Sequence, residues 1–182
     1  MRRYLPVLPS LAVLLCLALP LAAQSLSGRR APSFSLPNSA GVQHDILDYR
    51  GKWLLLDFMQ TTCPHCVSLT KTLEQVKLKY GNKVAILSVV LAPPENTQTV
   101  TKYAAENRVT HPIVFDQSQV TIAYFKATPQ KASFDIPHLF VVDPRGTIVR
   151  DWAHSDQTRD IFEGQALAAE LERLMAAPAA KK

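Results

Sequence analysis

The feature that most restricts the fold of this chain is the tetrapeptide Cys63-Pro64-His65-Cys66, which stands between an apolar run and an amphipathic segment. Residues 53–58 are apolar apart from Asp57 and predict a buried strand, and apolar residues recur at helical spacing after the cysteines. Two close thiols at the start of a helix are typical of redox-active cysteines, because the helix end stabilises a thiolate. The sequence therefore predicts an α/β protein with thiol chemistry where a helix begins.

The first 23 residues have the pattern of a secretory signal. Arg2 and Arg3 precede an uncharged stretch over residues 5–23 that ends in small side chains, and cleavage after Ala23 fits this pattern. The same stretch is long enough to span a bilayer, so an uncleaved membrane anchor is the alternative. We expect an exported protein, periplasmic or otherwise extracytoplasmic.

The cysteine count and the charge narrow the class of protein. Loss of the signal removes Cys16 and leaves Cys63 and Cys66 alone, whereas a disulfide-stapled scaffold carries several pairs. The chain has 20 basic and 15 acidic residues, and so mild a positive balance gives no indication of nucleic-acid binding.

Strands and helices alternate through the middle of the chain. Residues 33–36 alternate polar with apolar before the turn Pro37-Asn38-Ser39-Ala40-Gly41, and residues 42–46 can return as a second short strand, which predicts an N-terminal β-hairpin. Further strands are predicted at 84–91, 113–115, 138–142 and 147–152, and helices at 64–80, 97–107, 117–125 and 158–176. We expect one domain over 31–176, with a linker over 24–30 and a disordered tail over 177–182. Its fold class is α/β, a central mixed β-sheet flanked by helices.

Helix geometry assigns the two cysteines different roles. With Cys63 at the N-cap and Pro64 at the first helical position, the backbone N–H of Cys66 can point back at the Cys63 sulfur. Free N–H groups at the helix start then favour a Cys63 thiolate, and a protonated His65 would add positive charge. A stabilised thiolate makes the disulfide more oxidising.

Burial among apolar neighbours should raise the pKa of Asp57.

Several segments in order resemble one known family. They are Ala31-Pro32-Ser33-Phe34, Tyr49-Arg50-Gly51-Lys52, Leu55-Leu56-Asp57-Phe58, Cys63-Pro64-His65-Cys66, His111-Pro112-Ile113-Val114-Phe115-Asp116, Ile136-Pro137-His138-Leu139-Phe140 and Asp143-Pro144-Arg145-Gly146. Together they resemble the thioredoxin fold, particularly the exported thiol-disulfide oxidoreductases of the TlpA type and the wider redoxin group. Three positions depart from the pattern: Thr62 replaces the usual Trp, Leu69 replaces the Glu of many TlpA-type reductases, and Pro64-His65 is the dipeptide of strongly oxidising relatives.

The resemblance implies an enzyme, a protein disulfide oxidoreductase that exchanges disulfides with protein substrates. Cys63 would attack and Cys66 would resolve the mixed disulfide, while Asp57 would exchange a proton with Cys66. Pro137 would be a cis-proline beside the cysteines, and the backbone of Ile136 would pair with an extended substrate peptide. Besides the redox-active disulfide no cofactor or metal is expected. The partners would be thiol- or disulfide-bearing proteins and a membrane or periplasmic redox partner.

Two other functions use the same residues. A copper-binding redoxin-type chaperone would hold the metal with Cys63, Cys66 and His138, with His65 as an optional fourth ligand, since thiolate and imidazole suit copper. A thiol peroxidase is the other alternative function. It is disfavoured because such enzymes usually place Thr or Ser three residues before the attacking cysteine, where this chain has Gln60.

Overall fold

The computed structural model describes residues 26–177. The predicted signal over 1–23 and most of the predicted tail lie outside this range. Within it, none of the helices combines the length and the apolar character needed to cross a bilayer.

A mixed six-stranded sheet lies at the centre of the protein. Its strands are β1 (Arg29–Arg30), β4 (Trp53–Met59), β5 (Val84–Leu91), β6 (Ile113–Asp116), β7 (His138–Val142) and β8 (Thr147–Ala153). They lie in the order β1-β8-β7-β4-β5-β6, with β4, β5 and β6 parallel and the other pairings antiparallel. A separate hairpin joins β2 (Ser35–Pro37) to β3 (Gln43–Asp45). The predicted α/β class, mixed sheet and N-terminal hairpin are thereby confirmed.

Five helices cover the two faces of this sheet. They are α1 (Pro64–Tyr80), α2 (Thr97–Asn107), α3 (Gln119–Phe125), α4 (Arg159–Glu163) and α5 (Ala166–Ala176). The apolar sides of α1, α4 and α5 pack on one face together with Leu55, and α3 packs on the other. Helix α1 ends at Gly81, whose φ of +53° suits a residue without a side chain.

The central strand β4 supplies side chains to both faces in alternation. Leu54, Leu56 and Phe58 belong to the core under α3, where Phe58 packs against three aromatic rings at 5.1–5.6 Å. Such aromatic pairs contribute about 0.5–1.5 kcal/mol each beyond the buried area. Leu55 and Met59 belong to the clusters on the α1 face. Asp57 has the same parity, so it points towards α1.

Two segments differ from the sequence-based expectation. The single helix predicted over 158–176 is two helices, because the backbone at Gly164 is extended (φ −128°, ψ −150°). The break lets α4 place Phe162 in the core, where the Phe162 carbonyl accepts a hydrogen bond from Thr72 Oγ1 at 2.9 Å. Arg29 and Arg30, within the predicted linker, form strand β1 on the edge strand β8.

Candidate active site

The two cysteines lie at the start of α1 in the predicted arrangement. Cys63 is the N-cap residue, with extended backbone (φ −88°, ψ 119°), and Pro64 follows as the first helical residue. The backbone N–H of Cys66 donates to Cys63 Sγ at 3.3 Å. Both thiols are free, Cys63 half-buried and Cys66 fully buried. An incoming group can therefore approach Cys63, whereas Cys66 is closed to solvent.

The surroundings of Cys66 keep its thiol protonated. Burial raises the pKa of the Cys66 thiol far above its ordinary value, and the nearby Asp57 carboxylate raises it further. A thiol in this state is a poor nucleophile, because the thiolate is the reactive form. Cys66 can react only where a neighbouring base removes its proton.

Asp57 carries the carboxyl group whose charge acts on Cys66. Its side chain is fully buried; Oδ2 accepts a hydrogen bond from Ser88 Oγ at 3.2 Å, and Oδ1 has no hydrogen-bond partner within the described residues. Burial raises the pKa of Asp57 to about 7, and the hydrogen bond from Ser88 opposes that shift. The predicted rise is confirmed. A carboxyl group of this kind can gain and lose a proton near neutral pH.

A chain of polar groups leads away from Asp57 between the sheet and α1. Ser88, on β5, lies 3.0 Å from His111 Nε2, and His111 Nδ1 lies 2.7 Å from Glu74 Oε1 on α1. Burial alone would raise the pKa of Glu74, but hydrogen bonds from His111 and Thr110 outweigh it and lower the pKa to about 2. The sequence pattern assigned no role to Ser88, His111 or Glu74. Their separations along the chain, 23 and 37 residues, leave no local pattern to detect.

Two further groups fix the backbone around the cysteines and were also missed. Tyr103, on α2, donates its buried hydroxyl to the Cys66 carbonyl at 3.2 Å and also contacts Thr70 Oγ1 at 2.7 Å. The buried Glu95 accepts from the Thr61 backbone N–H at 2.7 Å and from the Thr61 hydroxyl. The loop before Cys63 and the first turn of α1 are therefore both anchored.

His65, the candidate tuning residue, belongs to a surface cluster. Its ring stacks on His154, and the nitrogens His65 Nδ1 and His154 Nε2 lie 3.3 and 3.4 Å from Glu163 Oε1. The ligand atoms of His65, His154 and Glu163 lie within 4.8 Å of one another, close enough to hold a metal ion. Within residues 26–177, no other group of three His, Cys, Asp or Glu side chains meets this distance. Ring stacking and contacts to one carboxylate account for the arrangement, and neither cysteine belongs to it.

The segment Ile136–Pro137 reaches the cysteines from the other side. The Ile136–Pro137 peptide bond is cis, as the resemblance implied, and Ile136 packs against the apolar cluster that contains Cys66. The Pro137 carbonyl accepts from the His154 backbone N–H at 3.1 Å. His138 turns inwards instead, with Nε2 3.1 Å from Asp151 Oδ2 and its ring stacked on Phe140. The cysteines and His138 therefore form no common ligand set.

Sequence comparison relates the chain to thiol-active proteins. The profile of the AhpC/TSA family matches residues 27–151. The thioredoxin-like protein YneN of Bacillus subtilis is 27% identical over 122 residues, which are 66% of this chain and 68% of that protein. The thiol-disulfide oxidoreductase ResA of Geobacillus kaustophilus is 30% identical over 122 residues, 66% of each chain. The matched region spans about two thirds of these relatives.

Solved structures share the fold. The thioredoxin domain of a thiol-disulfide oxidoreductase from Bacteroides vulgatus superposes with a TM-score of 0.64 at 21% identity, covering 81% of this chain and 96% of that one. A thiol-disulfide oxidoreductase from Bacteroides fragilis gives a TM-score of 0.62 at 22% identity, covering 80% and 99%. The fold is therefore thioredoxin-like, as the sequence motifs implied.

Proposed function

The chain belongs to the AhpC/TSA family, and from this premise we propose that it is an exported thiol-disulfide oxidoreductase that exchanges disulfides with protein substrates. One observation carries the proposal: a reachable Cys63 sulfur caps a helix, and a buried Cys66 stands behind it beside a carboxyl group whose pKa is about 7. Attack, resolution and proton transfer each have a group in place.

The first step is attack by the Cys63 thiolate on a substrate disulfide. The N–H group of Cys66 and the positive end of α1 stabilise the anion before the attack. A bond forms between Cys63 Sγ and one substrate sulfur as the substrate S–S bond breaks. The second substrate sulfur leaves as a thiolate and takes a proton from solvent.

The second step resolves the mixed disulfide. Asp57 takes the proton of the Cys66 thiol, and the resulting thiolate attacks Cys63 Sγ. The Cys63–Cys66 disulfide forms, and the first substrate sulfur leaves as a thiolate. Two electrons have then passed from the two cysteines to the substrate disulfide. In the reverse direction the same steps oxidise a substrate dithiol, and Asp57 returns the proton to Cys66.

A substrate peptide would lie along Ile136, beside the cysteines. The residue is half-buried, and no hydrogen bond to its backbone is found within the described part of the chain. An extended peptide could pair with this backbone as an added strand, which accepts many sequences. The partners would be thiol- or disulfide-bearing proteins together with a membrane or periplasmic redox partner. Export rests on the signal-like pattern of residues 1–23, with anchoring through residues 5–23 as its variant.

Neither alternative function is favoured by the arrangement of side chains. A copper site would need His138 beside the cysteines, but that ring is held by Asp151 and Phe140. A peroxidase would need a hydroxyl group in place of the Gln60 side chain. Gln60 instead contacts Cys63 through its backbone carbonyl, which accepts a hydrogen bond from the Cys63 N–H at 3.3 Å.

The test is trapping of a mixed disulfide with a model protein that carries one accessible disulfide. Cys66→Ser should accumulate a covalent complex through Cys63, because the resolving thiol is gone. Cys63→Ser should form none, since Cys66 is buried. Dithiothreitol should release the complex, and mass spectrometry should locate the bond. The proposal fails if the protein with both thiols free neither reduces the model disulfide nor, once oxidised, accepts electrons from a model dithiol.

A further inference from the structure

The proposed chemistry requires a proton to enter and leave a fully buried site. Asp57 is inaccessible to solvent, and so is the Cys66 side chain with which it would exchange the proton. Each time the disulfide forms, one proton moves onto Asp57, and each time it is reduced, one proton returns. A buried carboxyl group needs a route to solvent if its protonation is to follow the pH between these two half-reactions.

An unbroken series of hydrogen-bonding contacts offers such a route on the α1 face of the sheet. It runs from Asp57 Oδ2 to Ser88 Oγ over 3.2 Å, on to His111 Nε2 over 3.0 Å, and from His111 Nδ1 to Glu74 Oε1 over 2.7 Å. Asp57 and Ser88 are fully buried, and the exposed fractions of the His111 and Glu74 side chains are 2% and 18%. The series therefore leads from the interior to the surface.

The outer end of the series opens into solvent. Glu74, Thr110 and His111 line a surface cleft of about 680 Å³. The backbone holds the series in place, because Asp57 faces Ser88 in the pairing of β4 with β5, and the Ser88 N–H donates to the Pro112 carbonyl at 3.0 Å. The cleft and the backbone pairing together keep the four side chains aligned.

The chemistry of the four groups allows two directions of hydrogen bonding. When Asp57 is protonated, it donates to Ser88 Oγ, Ser88 donates to His111 Nε2, and the His111 Nδ1–H donates to the Glu74 carboxylate. Once Asp57 has passed its proton outwards, Ser88 donates to the ionised Asp57, and a proton on His111 Nε2 donates to Ser88. Conversion of the first pattern into the second moves one proton outwards, and the reverse conversion moves one inwards.

We propose that Ser88 and His111 relay the proton between Asp57 and solvent, with Glu74 as the positioning residue that orients the imidazole. The proposal rests on the proposed disulfide exchange and deepens it. Glu74 remains ionised, because three hydrogen bonds, from His111 and Thr110, stabilise its carboxylate. The anion holds the Nδ1–H of His111 and stabilises the imidazolium that forms as a proton passes.

Each passage moves one proton from one end of the relay to the other. Disulfide formation starts with Asp57 ionised and with the Ser88 hydroxyl turned towards an unprotonated His111 Nε2. The Cys66 proton moves to Asp57, the Asp57 proton moves to Ser88 as the Ser88 proton moves to Nε2, and the Nδ1 proton passes the Glu74 carboxylate to water in the cleft. Reduction of the disulfide runs the passage backwards. Because the two half-reactions alternate, each one restores the direction of hydrogen bonding that the other requires.

The contacts among Ser88, His111 and Glu74 also have the arrangement of a hydrolytic triad, in which a histidine activates a serine hydroxyl. Ser88 is fully buried on a central strand, so no substrate can reach its oxygen. Among residues 26–177, that hydroxyl bonds to Asp57 besides His111. The arrangement therefore serves proton transfer.

Other titratable groups face Asp57 as well. Cys66 approaches it from α1 and Tyr103 from α2, and the Asp57 carboxylate contributes to raising the pKa of both. Neither leads to the cleft on the Glu74 side. Replacements along the relay can therefore be interpreted through Asp57 alone.

The test measures the resolving step by single-turnover stopped flow across pH 6–9 in H₂O and D₂O, with wild-type protein, Ser88→Ala, His111→Gln and Asp57→Asn. We expect Ser88→Ala and His111→Gln to slow resolution about tenfold and to flatten its pH profile, with the initial attack by Cys63 unchanged. Carbon-13 NMR of the Asp57 carboxyl group should show a higher pKa in Ser88→Ala, because the hydroxyl that stabilises the anion is gone.

The control is Thr72→Val, which removes a buried hydroxyl group of α1 that bonds to the Phe162 carbonyl instead. It should leave the pH profile of resolution unchanged. If Ser88→Ala does not fold, His111→Gln still tests the relay, because His111 lies nearer the surface. The relay is refuted if either folded relay variant resolves at the wild-type rate with the wild-type pH profile while Asp57→Asn is slow. A fast Asp57→Asn would instead refute the proposed role of Asp57.

Discussion

The imidazole ring of His65 lies on that of His154, with ring centroids 3.9 Å apart and planes 23° from parallel. Nitrogens of the two rings approach the same atom, Glu163 Oε1. Because both rings share this carboxylate, its negative charge partly balances any positive charge on His65, which lies two residues after Cys63. The histidine of the tetrapeptide should therefore stabilise a thiolate less than an unpaired imidazolium would.

Two substitutions in this cluster should shift the redox potential in opposite directions. His65→Ala should make the Cys63–Cys66 disulfide less oxidising, because a nearby positive charge is lost. Glu163→Gln should make it more oxidising, because a nearby negative charge is lost. Each shift should be roughly 10–30 mV, measured by equilibration with glutathione.

Glu172→Gln is the matched control for these potentials. It removes a carboxylate that pairs with Lys79 at 2.7 Å, at the far end of α1. Its potential should equal that of the wild type. Shifts of the same sign in His65→Ala and Glu163→Gln would contradict the electrostatic explanation.

Asp57→Asn should stabilise the protein in a manner that depends on pH. The pKa of the folded-state carboxyl group is about 7, against an ordinary value of 3.8, so the folded protein retains the proton over a range in which the unfolded chain has lost it. The stability of the wild type therefore falls as pH rises from about 4 to about 7, by up to about 4 kcal/mol. Urea denaturation should show the variant about 2–4 kcal/mol more stable at pH 8 and equal to the wild type at pH 4. An equal gain at both values would show that desolvation of the charge is not the cause.

Tyr103→Phe should weaken the anchoring of the first turn of α1. The hydroxyl group that bonds to the Cys66 carbonyl and to Thr70 is buried, so its loss leaves a polar atom unsatisfied. We expect a loss of about 1–3 kcal/mol in the free energy of unfolding, measured by urea denaturation. Tyr80→Phe is the comparison, because the hydroxyl of Tyr80 bonds to the Ala168 carbonyl in a part-buried position where water can replace it. A larger loss in Tyr80→Phe than in Tyr103→Phe would be inconsistent with this account.

Glu95→Gln should loosen the loop that precedes Cys63. Its carboxylate accepts hydrogen bonds from the Thr61 backbone, the Thr61 hydroxyl and the hydroxyl of Thr99, the last at 2.6 Å. An amide accepts fewer and weaker bonds, so the Thr61 amide proton should exchange with solvent about tenfold faster. The readout is hydrogen exchange followed by NMR, with Glu106→Gln on the exposed side of α2 as control. Unchanged exchange at Thr61 would mean that the carboxylate does not restrain the loop.

The sequence predicted the parts of the site that depend on local pattern. The N-cap position of Cys63 followed from Pro64 and from the helical spacing of Leu69, Leu73 and Val76, and the buried state of Asp57 followed from its apolar neighbours. The structure confirms both. Such features depend on residues a few positions apart, where periodicity and capping rules apply directly.

The groups that surround the two sulfurs could not be predicted in the same way. No local pattern gives a role to His154 or His111, yet His154 stacks on His65 and His111 contacts Ser88. Their contacts depend on how strands and loops pack in space. The division of the last helix at Gly164 was missed for a related reason, because apolar spacing continued across the glycine.

Because side chains alternate between the two faces along β4, the proposed chemistry depends on the number of residues in this strand. Leu55, Asp57 and Met59 face the helix that carries the thiols, while Leu54, Leu56 and Phe58 face the aromatic core. Deletion of a single residue from this strand would exchange its two sides, presenting a phenyl ring to Cys66 and a carboxyl group to the aromatic rings. Evolution can therefore vary the side chains of this segment far more readily than it can add or remove a residue.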